Sequence, residues 1–449
     1  MTLPDPVIVV PGITASSLRD TYPLPPEAVW QPLSKAYRRI ILHPDDLAYE
    51  LQEPSMVSAD HVFQLVYGEM VSELRHELSD YAREQLRAGG ASDAEVDVPV
   101  YPFAYDWRQP LEQIQKALAT FVTTVIKKTK LMRPYHNDGY AKRGTVSIIA
   151  HSMGGLIAAG YIADKGPRAR VSKVVSLASP FRGSLEAVRK MLTGKDKLSR
   201  AVSGGREREA ARVTPSLYYL LPAFKGALHF DGKPNATLLR STTWQPNVIE
   251  SLDRYVRQFS LQDATTRKSG KQLFQELLDA AAAHRKGIEK LDLVATSLQS
   301  TKNWLCVVGV DSDTRVTIRA SQHQGQPIFD LGTFQPVNHY GSRSPAARVQ
   351  TGDGTVPYEG ARSNFIPLEQ VVCVTADDYG FWEWEDRTLN AAAGLHSALP
   401  TMNMVVRLTV AHLTGRGVGR YQNIWGRSAP DLPKGAQWDP PIAGLANKA

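Results

Sequence analysis

The sequence predicts an α/β fold in which a mostly parallel central sheet is flanked by helices. Short apolar runs such as Val7–Val10 and Val171–Leu177 lack the alternation of a half-exposed strand, which is typical of strands buried on both faces. Between such runs, apolar residues recur at helical spacing over residues 66–86 and 111–129. Strands that alternate with helices favour a parallel sheet, because each parallel connection has to cross back along the sheet.

The same patterns predict the remaining elements and the domain organisation. Further strands are expected over residues 98–104, 145–150, 304–310 and 371–375, and further helices over residues 156–163 and 400–413. Residues 20–60 carry many prolines and little periodicity, which indicates an irregular, lid-like excursion. The alternation stops after Gly183, and the chain is mostly polar and helical until about residue 299. We therefore predict an α/β core of residues 1–184 and 300–449. Residues 185–299 form a helical cap insertion at the C-terminal edge of the sheet, where open α/β sheets keep their sites.

The composition excludes several other classes of protein. Of the 449 residues, 43% are hydrophobic and 22% charged, so neither disorder nor a fibrous class is indicated. The formal charge of +7 is spread along the chain, as on an ordinary solvated surface. No basic leader precedes the first strand, and no stretch approaches the roughly 18 apolar residues of a spanning helix. These features predict a cytoplasmic location, with signal-independent export left open.

The two cysteines give no sign of a disulfide or a metal site. Cys306 and Cys373 each lie in an apolar run that is typical of a buried strand, so we expect them to be small core residues. The chain contains no C-x-x-C or H-E-x-x-H spacing. The sequence therefore predicts neither a metal ion nor a cofactor.

A candidate nucleophile lies between a predicted strand and a predicted helix. The segment Ala150-His151-Ser152-Met153-Gly154 has the form small-x-Ser-x-Gly. In that context the serine occupies a sharp strand-to-helix turn, the nucleophile elbow of α/β-hydrolases, which exposes its hydroxyl. Small residues two before and two after the serine are needed because strand and helix nearly touch there. We therefore predict an α/β-hydrolase fold with Ser152 as its nucleophile.

The nucleophile needs a histidine to take its proton and a carboxylate to orient that histidine. In this fold the chain order is Ser, then acid, then His. Asp353 lies in the turn Gly352-Asp353-Gly354, whose glycines allow a close approach, and Asp311 and Asp313 remain rivals directly after a predicted strand. His396 follows the last strand and precedes the final helix, so it has the expected position for the base.

The other histidines fit the base less well. The side chain of His151 is expected to point away from its neighbour Ser152. His412 lies within a predicted helix, and His339 precedes Asp353, which would break the chain order.

Two backbone N–H groups should hold the oxyanion that forms during acyl transfer. One is expected from Met153, the residue after the nucleophile. The loop after the first strand, Pro11-Gly12-Ile13-Thr14, should supply the other, with Ile13 as the best candidate. The Pro-Gly pair also has a simpler interpretation as a strand terminator, and the sequence leaves both open.

Several segments, in order along nearly the whole chain, resemble the lecithin:cholesterol acyltransferase-like family of lipases, phospholipases and acyltransferases. They are Val9-Val10-Pro11-Gly12 with Ser16, Tyr105-Asp106-Trp107-Arg108, Ala150–Gly155, Ser179–Ser184, Pro215–Pro222, Gly352–Pro357 and His396. The Tyr-Asp-Trp-Arg tetrapeptide and the Leu-Leu-Pro segment are the most specific of these, whereas the elbow would fit any α/β-hydrolase.

This resemblance implies a function and a site. It implies Ser152, Asp353 and His396 as a catalytic triad and a contribution of the Pro11-Gly12 loop to the oxyanion hole. Family members act on acyl chains of phospholipids and related esters, and some pass the acyl group to an alcohol instead of water. The resemblance also implies a cap or lid. Secreted members carry a signal peptide and a cysteine-closed lid loop, which this sequence lacks.

The sequence therefore predicts a serine esterase that cleaves carboxylic esters, with lipid or phospholipid acyl esters as the expected substrates. An acyltransferase and a catalytically silent hydrolase fold used for binding are the alternatives. Tyr218, Tyr219, Leu220 and Leu221 line either an acyl tunnel or the core of the cap itself. Asp106 and Arg108 favour a buried ion pair over a role in substrate binding.

One charged segment of the insertion offers a surface for partners. It contains Lys195, Lys197, Arg200, Arg206, Arg208 and Arg212. These residues form either a face for an anionic membrane or an ordinary solvated helix face. Nucleic acid is not expected, because the aromatic interleaving typical of single-strand binding is missing. The sequence leaves the oligomeric state open.

Overall fold

A computed structural model of the chain describes residues 2–21, 24–32, 56–90, 95–194, 205–258, 268–331, 351–380, 383, 394–416 and 424–448. The strands in these ranges are β1 (Val7–Val10), β2 (Ser16–Asp20), β3 (Glu27–Trp30), β4 (Val57–Val62), β5 (Val100–Pro102), β6 (Val146–His151), β7 (Val171–Leu177), β8 (Leu228–Phe230), β9 (Trp304–Gly309), β10 (Ile318–His323), β11 (Gln326–Asp330), β12 (Val371–Val374), β13 (Trp425–Gly426) and β14 (Ala446–Asn447).

The α-helices in the same ranges are α1 (Gln64–Ala88), α2 (Leu111–Leu131), α3 (Arg133–Asn137), α4 (Tyr140–Arg143), α5 (Met153–Lys165), α6 (Leu185–Thr193), α7 (Gly205–Val213), α8 (Pro215–Tyr218), α9 (Pro246–Gln258), α10 (Gly270–Glu289), α11 (Tyr358–Ala361), α12 (Leu395–Ala398) and α13 (Asn403–Thr414). Each strand and helix predicted from the periodicity is present, with ends that differ by a few residues. The predicted helix over residues 156–163, for example, begins earlier, at Met153.

The central sheet has six strands in the order β12-β9-β7-β6-β1-β5, and every pair in it is parallel. All residues of β1, β6, β9 and β12 are buried, which explains their apolar runs without alternation. Helix α2 packs against α5, and α1 packs against α13. Because the strands are parallel, their carboxyl ends meet at one edge, and this edge carries the loops that begin at Pro11, Ser152 and Val310.

Part of the segment predicted to be an irregular, lid-like excursion over residues 20–60 is regular, because it contains β3 and most of β4. Its lid-like behaviour stays a prediction. Strands β3 and β4 pair with β2 in a three-stranded antiparallel sheet. Trp30, at the end of β3, is almost fully buried and donates its Nε1–H to the Thr14 carbonyl. The burial and hydrogen bond of Trp30 therefore anchor β3, although the prolines around it gave no sign of a strand. Residues 33–55 lie outside the described part of the chain.

The insertion is mainly helical but also shares a sheet with a later part of the chain. It contains helices α6 to α10 and, between α8 and α9, the strand β8. Strand β8 pairs in parallel with β10, and β10 forms an antiparallel hairpin with β11. The hairpin lies after the predicted boundary at residue 299, so strand pairing joins the insertion to the segment that follows it. The division into a core and a cap of residues 185–299 stays a prediction. Among the described residues, no helix has both the length and the apolarity needed to cross a bilayer.

Candidate active site

Ser152 occupies a strained turn between β6 and α5. Its φ of 53° and ψ of −126° lie in a region that side-chain-bearing residues rarely adopt. The turn is tight because the backbone of β1 passes beside it. A Cβ atom at Gly154 would lie 2.3 Å from the carbonyl oxygen of Val10, and a Cβ at Gly12 would lie 3.1 Å from the Cβ of Ser152. The small residue two positions after the serine is therefore required by the packing of helix against strand.

The close packing at Gly154 predicts how a substitution there changes the stability of the protein. Replacing Gly154 with alanine should lower the free energy of unfolding by about 3 kcal/mol, because the obstructing atom is backbone and no side-chain rotation relieves the clash. Gly287→Ala is the matched control. Gly287 is exposed on α10, where a Cβ meets nothing within 4 Å, so this change should raise stability by about 1 kcal/mol. Urea denaturation of both variants measures the difference, and equal stabilities would contradict the prediction.

The structure brings His396 and Asp353 to the hydroxyl of Ser152. His396 Nε2 lies 2.9 Å from Ser152 Oγ, and His396 Nδ1 lies 2.7 Å from Asp353 Oδ2. Asp353 is 1% exposed, and its other oxygen, Oδ1, accepts hydrogen bonds from the backbone N–H groups of Thr355 and Val356. A carboxylate accepts only, so His396 donates from Nδ1 and its Nε2 is free to accept the serine proton.

Two glycines shape the loop that holds Asp353. Gly352 and Gly354 have φ values of 130° and 94°, which suit glycine, and a Cβ at Gly352 would lie 2.2 Å from the Val356 carbonyl oxygen. The carbonyl of Asp353 also accepts a hydrogen bond of 3.1 Å from the backbone N–H of His396. The acid and the histidine are therefore linked through both backbone and side chain, although they are 43 positions apart.

The loop after β1 is held by hydrogen bonds to several aromatic side chains. Tyr105 donates its hydroxyl hydrogen to the Pro11 carbonyl over 2.7 Å, and Trp107 donates its Nε1–H to the Ser16 carbonyl over 3.2 Å. The N–H of Gly12 donates to the hydroxyl oxygen of Tyr67 over 3.0 Å. The N–H of Gly12 is therefore already hydrogen-bonded to Tyr67, while Ile13 lies in the wall of the cavity beside Ser152. Met153 is the first residue of α5, and a backbone N–H at that position has no acceptor within its own helix.

A cavity of about 350 Å³ opens at Ser152 and His396. Its wall is mostly apolar and comes mainly from three parts of the chain: the β1 loop, the segment around β3 and α1, and the insertion. The apolar residues include Ile13, Trp30, Phe63, Val66, Ala187, Leu217 and Leu220. The charged side chains Glu186 and Lys190 lie at the same wall on α6. Such a volume and lining suit a small, largely apolar ligand group.

Of the four residues that the sequence suggested for an acyl tunnel, the structure places one at this cavity. Leu220 lines it, together with Leu217, which the sequence analysis did not select. Tyr218 is fully buried and donates its hydroxyl hydrogen to the Arg212 carbonyl, and Tyr219 donates to Glu112. Both tyrosines and the buried Leu221 therefore pack within the protein outside the cavity wall.

Two predictions about charged residues have different outcomes. Asp106 and Arg108 form the buried ion pair expected from the sequence, with an N–O distance of 2.8 Å. Burial would raise the pKa of the Asp106 carboxyl, but the charge and hydrogen bonds of Arg108 lower it below its usual range. Arg212, in contrast, is not on a solvated face. It is 2% exposed and donates to the carbonyls of Met191 and Asn247. Lys195, Lys197, Arg200 and His339 lie outside the described residues.

His151 lies at the candidate site, although the sequence analysis expected its side chain to point away from Ser152. Its ring lies in the cavity wall, and the ring centroids of His151 and His396 are 5.0 Å apart. Nδ1 of His151 lies 2.7 Å from the Tyr67 hydroxyl, and Nε2 lies 2.9 Å from the His396 carbonyl oxygen. Burial, together with the nearby His396, lowers the pKa of His151 to about 3, so the ring is neutral at physiological pH. No local pattern signals this contact, because Tyr67 is 84 positions away.

A parallel sheet with a serine at the strand-to-helix turn on its carboxyl edge defines the chain as an α/β-hydrolase. The chain belongs to the lecithin:cholesterol acyltransferase family, whose family model matches residues 94–364, more than half of its length. The resemblance drawn from the sequence motifs is thereby confirmed. Membership places the protein among lipid acyl-ester hydrolases and acyltransferases.

A solved structure supports the fold independently. It is described as the crystal structure of the Tle4-Tli4 complex, and it matches with a TM-score of 0.59 and 16% sequence identity. The alignment covers 91% of this chain and 99% of the other, so the likeness extends over the whole fold. No curated protein matches the sequence.

Proposed function

We propose that the protein is a serine hydrolase that cleaves lipid acyl esters through an acyl-Ser152 intermediate. The observation that carries this proposal is the continuous hydrogen-bonded series Ser152–His396–Asp353 at the mouth of an apolar cavity. A silent fold has no physical need for this series, since its members come from three separate segments of the chain. Membership of the lecithin:cholesterol acyltransferase family supports the acyl-ester substrate.

In the proposed reaction, His396 Nε2 takes the hydroxyl proton as Ser152 Oγ attacks the ester carbonyl carbon. The negative charge on the former carbonyl oxygen is held by the N–H groups of Met153 and Ile13. The tetrahedral intermediate then collapses, the bond to the alcohol oxygen breaks, and His396 returns its proton to that oxygen. Water repeats the same steps on the acyl-serine and releases a carboxylic acid. The Asp353 carboxylate, hydrogen-bonded to His396 Nδ1, stabilises the imidazolium in both halves of the reaction.

The acyl chain is proposed to occupy the apolar cavity, with residues 185–299 acting as its cap. The insertion supplies Ala187, Leu217 and Leu220 to the wall, so the cap would contact the acyl chain directly. An acyltransferase would follow the same first half-reaction and differ only in the alcohol that replaces water. Contact with an anionic membrane and a cytoplasmic location stay predictions.

Hydrolysis of p-nitrophenyl esters from acetate to palmitate tests the proposal. The apolar cavity predicts a kcat/KM that rises with acyl length before it levels off. A fluorophosphonate probe should add to one peptide, and mass spectrometry should place the adduct on Ser152. Added alcohol acceptors in the same assay measure the share of acyl transfer. Absence of both turnover and labelling in a folded protein, with detergent or lipid present, would refute an enzymatic role.

A further inference from the structure

A chain of hydrogen bonds joins the loop that holds the oxyanion candidate Ile13 to the backbone of the candidate base, His396. It runs from the N–H of Gly12 to the Tyr67 hydroxyl, from there to Nδ1 of His151, and from Nε2 of His151 to the backbone carbonyl of His396. Its three distances are 3.0, 2.7 and 2.9 Å. Tyr67 is 2% exposed and His151 is 5% exposed, so water does not compete for these bonds.

The direction of each bond follows from which atoms can donate. The Gly12 N–H can only donate, so the Tyr67 hydroxyl oxygen accepts that hydrogen bond. The hydroxyl hydrogen of Tyr67 is then donated to His151 Nδ1. The His396 carbonyl only accepts, so Nε2 of His151 carries the hydrogen. Nδ1 of the neutral ring is then the acceptor that the tyrosine requires. Tyr67 and His151 each accept one hydrogen bond and donate the next, so the bonds run in one direction from Gly12 to His396.

We propose that Tyr67 and His151 form a positioning bridge that fixes the distance between the Ile13 amide and the His396 imidazole. Both ends matter, because Gly12 precedes Ile13 directly and His151 bonds the backbone of His396 itself. This inference rests on the proposed roles of Ser152, His396 and Ile13. Tyr67 and His151 are positioning residues in it, because they act through Gly12 and the His396 backbone.

The bridge places a buried, neutral ring beside the base. During acyl transfer His396 becomes an imidazolium, and a second positive charge 5.0 Å away would oppose that step. Burial holds the pKa of His151 far below that of an ordinary histidine. His151 therefore supplies a hydrogen bond without adding charge.

Tyr67→Phe tests the bridge, because it keeps the ring and removes the hydroxyl. We expect kcat for ester hydrolysis to fall roughly 10- to 100-fold, since a shift of about 1 Å in a catalytic group has effects of this size, while KM stays within about twofold. A trifluoromethyl ketone that forms a tetrahedral adduct with the serine should bind more weakly by the same factor as kcat/KM. A merely structural role would not produce this parallel loss.

Tyr135→Phe is the matched control. The Tyr135 hydroxyl is also buried and donates to a backbone carbonyl, that of Pro4, over 2.9 Å, but Pro4 precedes β1 at the opposite edge of the sheet. This change should leave kcat and inhibitor binding within about twofold of wild type. The double variant Tyr67→Phe/His151→Asn should be no slower than the slower single variant, because both changes break one bridge.

The outcomes separate this inference from the proposed function. A wild-type protein that neither turns over esters nor labels at Ser152 would remove the proposed function itself. An active wild type with an equally active Tyr67→Phe variant, or a slower variant with unchanged ketone affinity, would overturn the bridge. If Tyr67→Phe does not fold, His151→Asn in the same two assays decides the question by the same criteria.

Discussion

Replacing Ser152 with alanine is expected to lower kcat for ester hydrolysis by about 10⁶-fold, the loss that follows removal of a nucleophile from a complete triad. Substrate affinity and Tm should stay close to wild type, because Ser152 already has a φ of 53° and alanine adds no atom to the tight turn. Steady-state rates with a medium-chain ester, measured beside a thermal melt, check both parts of the prediction.

His396→Ala provides the internal control for this result. The double variant Ser152→Ala/His396→Ala should be no slower than the slower single variant, because the two residues act as one unit. Multiplicative losses would show that the two side chains contribute separately. A Ser152→Ala variant that keeps more than about 1% of the wild-type rate would require a different nucleophile.

Replacing Asp353 with asparagine is expected to reduce kcat by about 10⁴-fold with little change in fold. The structure dictates how the amide would sit. Its oxygen must stay with the N–H groups of Thr355 and Val356, which need an acceptor. Its NH₂ group then faces His396 Nδ1, which must accept, so the ring hydrogen moves to Nε2 and the base can no longer take the serine proton.

Asp311→Asn is the control for this variant. Asp311 follows β9 and was a rival for the acid in the sequence analysis, and asparagine tolerates its φ of 63°. We expect Asp311→Asn to keep kcat within about twofold of wild type. A large loss in Asp311→Asn together with an active Asp353→Asn variant would reverse the assignment. Rates at saturating ester, with thermal melts for folding, distinguish these cases.

The two aspartates show where sequence reasoning reaches its limit. Ser312, which lies between Asp311 and Asp313, pairs with Asp353 in an isolated β-bridge, so the rival segments lie side by side at the same edge of the sheet. Order along the chain and flanking glycines favoured Asp353 but left the others open. The crossover from β9 to the neighbouring β12 decides which carboxylate meets His396, and that is a property of the fold.

His151 and Arg212 show the same limit for burial. A helical run of basic residues gives no sign that one of them folds inward to hold the carbonyls of Met191 and Asn247. Likewise, the alternation of a strand says that neighbouring side chains point to opposite faces, but the strand ends at His151, where the chain turns. Both placements depend on contacts between residues far apart in sequence.

The sequence by itself determined the parallel sheet, its flanking helices, the family and the placement of Ser152 at a strand-to-helix turn. These features depend on local patterns: apolar runs long enough for a buried strand, a 3.6-residue period, and small residues at the turn. The tertiary structure alone decided which aspartate meets His396, that Tyr67 and His151 connect two loops of the site, and which side chains line the cavity. Those contacts join residues tens to hundreds of positions apart, and their partners are set by the packing of whole elements against each other.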